Sequence, residues 1–369
     1  MKIIGCDFHP GYQQIAMLDK NTGEVTEKRL THSNEGEEAK KFYSELTGPV
    51  LVGLEASGQS QWFERCLAEL GHELWIGDAA KIRASTERKQ KTDRRDANLL
   101  LELLEQERFP CVWVPKPAER DVRQLLLHRA KLVRVRTQVK NQLQALALNQ
   151  GVQRKRKLWT VAGRKQLESL PLLPWASRRR TDLLKLLDEL GGSITALDSA
   201  VCQEASARPA VRRLMTHPGV GPMTALAFAL TLGPAGRFRR GKQVASYFGL
   251  IPSEHSSGGK QRLGHISKQG SSFVRGLLVE AAQSAVRHEP QMRREYQRLA
   301  QRKCRALAKV AMARKLAVRL YWMLREEVDY AQLLQGSYAG QPESSRGRGG
   351  DRWFEWASCL PEESGSLKK

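Results

Sequence analysis

Four acidic residues near the start of the chain have the types and positions of a metal-dependent catalytic site. Asp7 and Glu55 each end a short apolar stretch that predicts a buried strand, and Asp93 and Asp96 lie at the start of a predicted helix. Their i, i+3 spacing places the second pair on one helical face. If all four converge at one edge of a sheet, their mutual repulsion favours cations bound between the oxygens. Two magnesium ions about 4 Å apart could then activate the attacking oxygen and stabilise the leaving oxygen of a phosphodiester.

Each of these acids also has a simpler interpretation. Asp93 could be a helix N-terminal residue favoured by the macrodipole, and Glu55 could be an ordinary surface acid. The pattern on its own indicates a nuclease-like site and leaves the attacking group open.

The elements that would position these acids alternate between strands and helices. The sequence predicts three antiparallel strands, then helix, strand, helix, strand and helix within residues 1–110, which is typical of an α/β layered domain. The predicted strands are 2–8, 13–18, 24–31, 50–55 and 72–76, and the predicted helices are 35–46, 58–70 and 92–106.

The charge of the chain indicates a polyanionic partner. The net charge is +22, from 61 Lys and Arg against 39 Asp and Glu. Between His128 and Arg180 the chain has 14 basic residues and one acid, Glu168. Arg154, Lys155, Arg156 and Lys157 form the densest run. Such a one-sided block favours phosphate binding with counterion release over a merely soluble basic surface.

Helical patterns dominate after Glu119. Two seven-residue spacings predict a basic helical or coiled-coil arm over residues 111–208, although two ordinary helices packed on their own domain would give a similar pattern. One runs through Leu125, Leu132, Val139 and Leu146, and the other through Leu183, Leu187, Leu190, Ile194, Leu197 and Val201. A basic, proline-containing connection, 155–174, separates them. A mainly helical domain is predicted over 209–335, and the Gly/Ser/Arg-rich composition of the tail predicts disorder over 336–369.

A short glycine-containing turn in the helical domain resembles the turn of a helix-hairpin-helix motif. In the segment 217–225, Gly219 and Gly221 would let backbone N–H groups approach a phosphate at the following helix N-terminus. Nearby basic residues favour DNA-backbone binding over a plain connecting turn: Arg212, Arg213, Arg237, Arg239, Arg240 and Lys242.

A polar loop at 253–260 contains two adjacent serines, Ser256 and Ser257, followed by two glycines. Taken residue by residue, such a loop is usually a flexible turn. The residues alone therefore do not identify a nucleophile.

Three acidic segments together resemble the DEDD boxes of the insertion-sequence 110 transposase family, which includes the Piv-like site-specific invertases. These segments are 4–9 (IGCDFH), 54–58 (LEASG) and 91–97 (KTDRRDA), and the resemblance extends over about residues 1–330. It implies a RuvC-like, RNase H-like fold for the first domain and a magnesium-ligand role for Asp7, Glu55, Asp93 and Asp96. Ser57 stands where the family often has Thr, which keeps the hydroxyl.

The resemblance also gives the serine loop a role. Alignment on the Gly-Leu-x-Pro and Ser-Lys-x-Gly boxes places Ser257 at the family's proposed nucleophile, with Ser256 as the adjacent competitor. Ser271 replaces an Asn found in many members. Lys260, Arg262, Lys268 and Arg275 are phosphate ligands by type. A serine without a His/Asp triad needs another activator, and a metal held by the carboxylate domain is the physical candidate.

The resemblance implies a transposase or recombinase that cuts and rejoins donor and target DNA through a phosphoserine intermediate. It further implies an element-encoded bridge RNA as guide, and assembly into a dimer or tetramer. Two alternatives stay open, a metal-dependent nuclease or junction resolvase that uses water, and a non-catalytic nucleic-acid-binding protein.

The remaining composition predicts an ordinary soluble chain. The longest apolar runs are too short to span a membrane, the first residues lack a signal-peptide pattern, and the six cysteines form no CxxC pair. We therefore expect reduced cysteines and a cytoplasmic protein.

Overall fold

A five-stranded mixed sheet forms the centre of the first of two units in the computed structural model. The structure describes residues 1–85, 92–153, 156–257 and 262–336. One unit covers Met1–Val114 and the other begins at Pro115. The strands of the sheet are β1 (Lys2–Phe8), β2 (Tyr12–Asp19), β3 (Val25–Thr31), β4 (Val50–Glu55) and β5 (Glu73–Gly77).

The strand order of this sheet is β3-β2-β1-β4-β5. Strand β1 pairs antiparallel with β2 and parallel with β4, with Cys6 opposite Leu54. The carboxyl ends of β1 and β4, where Asp7 and Glu55 lie, therefore meet at one edge of the sheet. The helices of this unit are α1 (Ser33–Ser44), α2 (Gln61–Glu69), α3 (Ala79–Ala84) and α4 (Asp93–Glu105).

The two faces of the sheet are covered by different helices, in agreement with the continuous burial of β1 and β4. Ile4 and Cys6 pack with Tyr43 of α1 and Phe63 of α2. Residues of opposite parity, among them Ile3, pack against α4. The predicted mixed α/β unit is confirmed. Most of its helices and strands begin or end one to three residues away from the predicted positions. Helix α3 was not predicted, and Asp78 caps it by accepting hydrogen bonds from two backbone amides of its first turn.

Two long helices begin the second unit and pack against each other along much of their length. They are α5 (Pro117–Asn149) and α7 (Pro174–Ala207), with α6 (Val161–Glu168) between them. Leu143 of α5 and Leu190 of α7 share one apolar cluster with Leu167 of α6. Helix α6 lies in the segment expected to be only a connection. Gly191 and Gly192 lie inside α7 without ending it.

The opposite ends of the two long helices belong to another core. Val122 and Leu126 of α5 and Val201 and Ala205 of α7 join the main apolar cluster of the second unit. Helices α5 and α7 are therefore antiparallel, with one end in that core and the other end packed on α6.

The remaining elements of the second unit are mainly helical, as predicted. They are α8 (Pro209–Met215), α9 (Pro222–Leu232), α10 (Gly241–Tyr247), the hairpin of β6 (Pro252–Glu254) and β7 (Leu263–Ile266), α11 (Ser272–His288), α12 (Pro290–Arg302), α13 (Arg305–Arg325) and α14 (Tyr330–Gln335). Helix α13 contributes the most buried residues of these, with Tyr321 and Leu316 fully enclosed. Within the described ranges, no helix has the length and apolarity to cross a membrane.

The predicted tail, 336–369, lies outside the described residues apart from Gly336. The five cysteines in the described part of the chain are free thiols.

Candidate active site

Glycines in β1 and β4 allow helix α4 to lie directly on the sheet. Gly5 and Gly53 are register partners on neighbouring strands. A Cβ at Gly5 would lie 2.2 Å from the carbonyl oxygen of Ala97, and one at Gly53 would lie 2.5 Å from a methyl carbon of Leu104. Because Gly5 is two residues before Asp7 on the same face of β1, this close approach brings the first turn of α4 toward the carboxylate of Asp7.

The first turn of α4 carries Asp93 and Asp96, and its start is fixed by Thr92. The Thr92 hydroxyl accepts a hydrogen bond from the backbone amide of Arg95, which is the usual role of an N-cap threonine. The helix N-terminus also favours negative charge in this turn.

The carboxylates of Asp7 and Asp93 lie around the imidazole of His9. The Nε2 atom of His9 is 3.2 Å from Oδ2 of Asp7 and 3.7 Å from Oδ1 of Asp93. One ligand atom from each of the three residues can be chosen so that all lie within 4.8 Å of one another. This is a spacing that a single cation can bridge, and carboxylate and imidazole are both common metal ligands.

Electrostatics in this group favour a cation. Burial raises the pKa of Asp7, the charge of His9 lowers it, and the carboxylates of Asp96 and Asp93 raise it again. The raised pKa means that the ionised form of Asp7 is disfavoured by its surroundings without a cation. The donor set thus suits a divalent ion, which would relieve the repulsion among the three acids.

Tyr12 holds Asp93 from the neighbouring strand. Its hydroxyl donates a hydrogen bond of 2.6 Å to Oδ2 of Asp93, and this bond raises the pKa of the tyrosine. The guanidinium carbon of Arg29 lies 3.8 Å from the centre of the Tyr12 ring. Tyr12 therefore fixes one oxygen of Asp93 and leaves the other directed at His9.

Glu55 lies at the same edge and on the same face of the sheet as Asp7, because β1 and β4 are in parallel register. Its carboxylate is 3.8 Å from the guanidinium of Arg83 in α3, and its side chain is 35% exposed. The close group of Asp7, His9 and Asp93 does not include it.

His9, Tyr12 and Arg83 were not among the residues singled out from the sequence. For His9 a signal was present, since the Asp7-Phe8-His9 spacing repeats the two-residue period of a strand and puts both polar side chains on one face. No comparable signal marks Tyr12 and Arg83, whose positions depend on how β2 and α3 pack beside β1 and β4.

The serine loop belongs to the second unit. Ser256 donates a hydrogen bond of 2.6 Å to Glu254 and accepts one of 3.1 Å from the backbone amide of Arg262. Ser257 is exposed, and Lys260, together with residues 258, 259 and 261, lies outside the described residues. The hydroxyl of Ser256 therefore links the two sides of the hairpin by hydrogen bonds, and the hydroxyl of Ser257 is on the surface.

The glycine turn between α8 and α9 is packed on one side and open on the other. Gly219 has φ +82°, and a Cβ there would lie 2.4 Å from the backbone nitrogen of Ala285 in α11. Gly221 is exposed, precedes α9, and a Cβ there would meet nothing within 4 Å. Gly219 thus serves the packing of the turn against α11, and Gly221 is the glycine at which a ligand could approach the backbone.

The other predicted nucleic-acid ligands have different surroundings. Arg275 donates hydrogen bonds to the carbonyls of Phe248 and Gln269, which gives it a structural role in holding the end of α10. Arg262 and Lys268 are exposed. Lys157 is exposed in the basic segment, Arg154 and Lys155 lie outside the described residues, and for Arg156 only the backbone is described.

Comparison with known proteins places the chain in a family. Residues 4–150 match the DEDD transposase family of insertion sequence IS110, and residues 211–297 match the transposase IS116/IS110/IS902 family.

Curated relatives agree with these matches. A probable family 20 transposase of Pseudomonas aeruginosa PAO1 is 30% identical over 336 residues, which cover 89% of this chain and 98% of the relative. A transposase for insertion sequence element IS1111A of Coxiella burnetii is 26% identical over 300 residues, 78% of this chain and 79% of the relative. A pilin gene-inverting protein of Moraxella bovis is 24% identical over 231 residues, 56% of this chain and 72% of the relative. The chain belongs to the IS110 family of insertion-sequence transposases.

Proposed function

We propose that this chain cuts and rejoins DNA at specific sites, with Ser257 as the nucleophile and the acids of an RNase H-like first unit as ligands of divalent metal. The observation that carries the proposal is the convergence of Asp7 and Asp93, with Asp96 close enough to raise the pKa of Asp7. The strand order β3-β2-β1-β4-β5 with α4 on one face supports the RNase H-like assignment.

In the proposed reaction the oxygen of Ser257 attacks the phosphorus of a phosphodiester. A serine–phosphate bond forms, the bond to the leaving strand breaks, and the leaving oxygen keeps the electron pair and takes up a proton, while the serine proton passes to solvent. Attack by the free hydroxyl of another strand reverses these steps and regenerates the serine. Because the number of phosphoester bonds is conserved, strands are exchanged without ATP.

The metal would be held by Asp7, Glu55, Asp93 and Asp96. In our proposal it is Mg²⁺, with two ions in a complete site. When bound, it supplies positive charge to the scissile phosphate and lowers the pKa of the attacking hydroxyl. The carboxylate of Asp7 is partly buried, so its negative charge is poorly solvated in the folded protein. The hydrogen bond from Tyr12 keeps the carboxylate of Asp93 oriented. The exposed position of Ser257 leaves it accessible to a phosphate, whereas Ser256 is engaged with Glu254.

A nicked suicide substrate tests the nucleophile. We expect the parent protein and the Ser256→Ala variant to form a covalent protein–DNA adduct, and Ser257→Ala to form none. Full strand exchange by Ser257→Ala would overturn the proposal. Cleavage without an adduct would favour a nuclease that uses water, and retention of all activity by Asp93→Ala and Asp96→Ala would favour a non-catalytic binding protein.

Guidance by a bridge RNA and assembly into a dimer or tetramer complete the proposal. They are supported by the family membership and by the net charge of +22, which suits a complex with both RNA and DNA. Treatment with RNase before assembly should abolish site-specific recombination, and undiminished recombination would exclude the guide. Sequencing of the RNA that co-purifies with the protein would identify the guide.

A further inference from the structure

His9 is placed as a ligand would be, within the group of acids proposed to hold metal. Its Nε2 atom is directed at both Asp7 and Asp93, at 3.2 and 3.7 Å. The imidazole is 34% exposed, and the Asp7 carboxylate beside it is 16% exposed. It therefore lies at the mouth of the group, where solvent and a metal ion can both reach it.

The orientation of the imidazole is fixed by the turn between β1 and β2. The backbone amide of His9 donates to the carbonyl of Tyr12 at 2.9 Å, and the two rings stack with centres 4.7 Å apart. The same tyrosine donates to Asp93. One residue thus holds both the imidazole and one of the carboxylates, which keeps the two donors at a constant separation.

We propose that Nε2 of His9 is a direct ligand of the cation held by Asp7 and Asp93, so that the site is a mixed nitrogen–oxygen site rather than one of oxygens alone. This inference rests on the metal site of the proposed function. A neutral imidazole nitrogen favours ions such as Mn²⁺ over Mg²⁺, because Mg²⁺ prefers oxygen ligands in a strict octahedron. We therefore infer that His9 shifts the selectivity of the site toward Mn²⁺.

Mn²⁺ itself is the probe for the test, because it is paramagnetic and reports its ligands. Full-length protein, freed of nucleic acid at high salt, is titrated with Mn²⁺, and the bound ion is studied by pulsed electron paramagnetic resonance. We expect a ¹⁴N modulation from a coordinated imidazole, replaced by a ¹⁵N signal when the histidines are ¹⁵N-labelled. The His9→Gln variant should still bind Mn²⁺, on the order of 10-fold more weakly, and should lose the nitrogen signal.

Control variants separate this inference from the metal site itself. His288→Gln removes an exposed histidine at the end of α11 and should change neither affinity nor signal. Asp93→Asn should lose most of the Mn²⁺ binding. The ratio of Mn²⁺ to Mg²⁺ affinity, measured by competition, should fall in His9→Gln and stay unchanged in His288→Gln.

Different results would overturn different statements. Mn²⁺ bound by the parent without nitrogen coupling, or a coupling that survives in His9→Gln, would overturn the role of His9 and leave the carboxylate site intact. Failure of the parent to bind Mn²⁺ or Mg²⁺ at millimolar concentrations would overturn both the role of His9 and the metal site of the proposed function.

Discussion

At the scale of single residues, Gly5 determines how closely helix α4 approaches strand β1. A side chain there would overlap backbone atoms of α4, at 2.2 Å from the carbonyl oxygen of Ala97 and 2.4 Å from the amide nitrogen of Leu101. Backbone atoms cannot move aside as a flexible side chain can, so the helix itself would have to shift. Asp93 and Asp96 would shift with it, away from Asp7.

We expect Gly5→Ala to lower the free energy of unfolding of the first unit by about 3 kcal/mol or more, the upper end of overpacking costs. It should also weaken Mn²⁺ binding. Gly58→Ala is the matched control, because a Cβ at Gly58 meets nothing within 4 Å. Thermal unfolding followed by calorimetry measures the effect, and equal stability of the two variants would show that α4 tolerates displacement.

His217 makes the stability of the second unit depend on pH. Its imidazole is buried beside the ring of Tyr330, its Nδ1 is 2.8 Å from the carbonyl of Pro218, and burial lowers its pKa from 6.5 to about 4, with the charge of Arg319 acting in the same direction. Between these two pKa values the unfolded chain binds more protons than the folded one. The free energy of unfolding therefore rises with pH across this window and falls on acidification, by about 3 kcal/mol in total for this group.

The variant His217→Gln has no such group, so its stability should fall less between pH 7 and pH 4.5 than that of the parent. His288→Gln, which removes an exposed histidine, should follow the parent. Urea unfolding of the second unit at several pH values is the measurement. Parallel pH profiles for parent and His217→Gln would mean that His217 is protonated without cost in the folded protein.

At the scale of elements, the two glycines of the turn between α8 and α9 have separate roles, one in packing and one, we expect, in binding. Gly219 combines φ +82° with a contact to the backbone of α11, whereas Gly221 is exposed and open. We expect Gly219→Ala to destabilise the second unit by about 3 kcal/mol, from backbone strain together with overpacking.

Gly221→Ala should keep the stability of the parent and bind duplex DNA more weakly, if this turn approaches a phosphate. Calorimetry and a fluorescence-anisotropy titration on the two variants measure the two effects separately. Unchanged affinity in Gly221→Ala would show that the turn is a structural connection only.

The far end of the α5–α7 pair exposes large apolar side chains. Trp175 in the first turn of α7 is 86% exposed, Leu173 just before it 80%, and Val161 at the start of α6 79%. We expect these side chains to contact another molecule, and self-assembly is part of the proposed function.

Trp175→Ser should therefore weaken self-association roughly 30-fold, the effect of losing an interface hot spot of about 2 kcal/mol, without lowering stability. Sedimentation equilibrium measures it, with Val25→Ser, another exposed apolar residue at 53%, as the control. An unchanged association constant would remove Trp175 from the interface.

Helices and strands were predictable where the spacing of apolar residues over a short stretch of sequence determined them. Short apolar runs, each ending at an acid, predicted β1 and β4. The shared edge for Asp7 and Glu55 then follows from the parallel direction of the two strands. The contacts of Arg275 were not predictable, because its guanidinium binds a carbonyl 27 residues away. The sequence of α5 also did not show that its two ends join different cores. Both ends have apolar residues at helical spacing, and only the fold decides which core each end joins.

At the scale of the whole molecule, the positive charge is uneven, and this unevenness should appear in the salt dependence of DNA binding. Lys157 is exposed in the segment that has 14 basic residues and one acid. Lys41 of α1 is also exposed, but its ammonium group lies 4.0 Å from the carboxylate of Glu45. A lysine that contacts a phosphate releases a counterion on binding, whereas one that faces an acid on its own surface does not.

We therefore expect Lys157→Gln to reduce the slope of log Kd against log salt concentration by about 1, and Lys41→Gln to leave it unchanged. Non-specific duplex DNA is the ligand, titrated between about 50 and 200 mM NaCl, a range over which several phosphate contacts change affinity by orders of magnitude. Both substitutions remove one charge from a total of +22, so a general field effect would act equally on the two variants. Equal slopes for them would show that the basic block does not contact the DNA backbone and that its partner is another polyanion, such as the guide RNA.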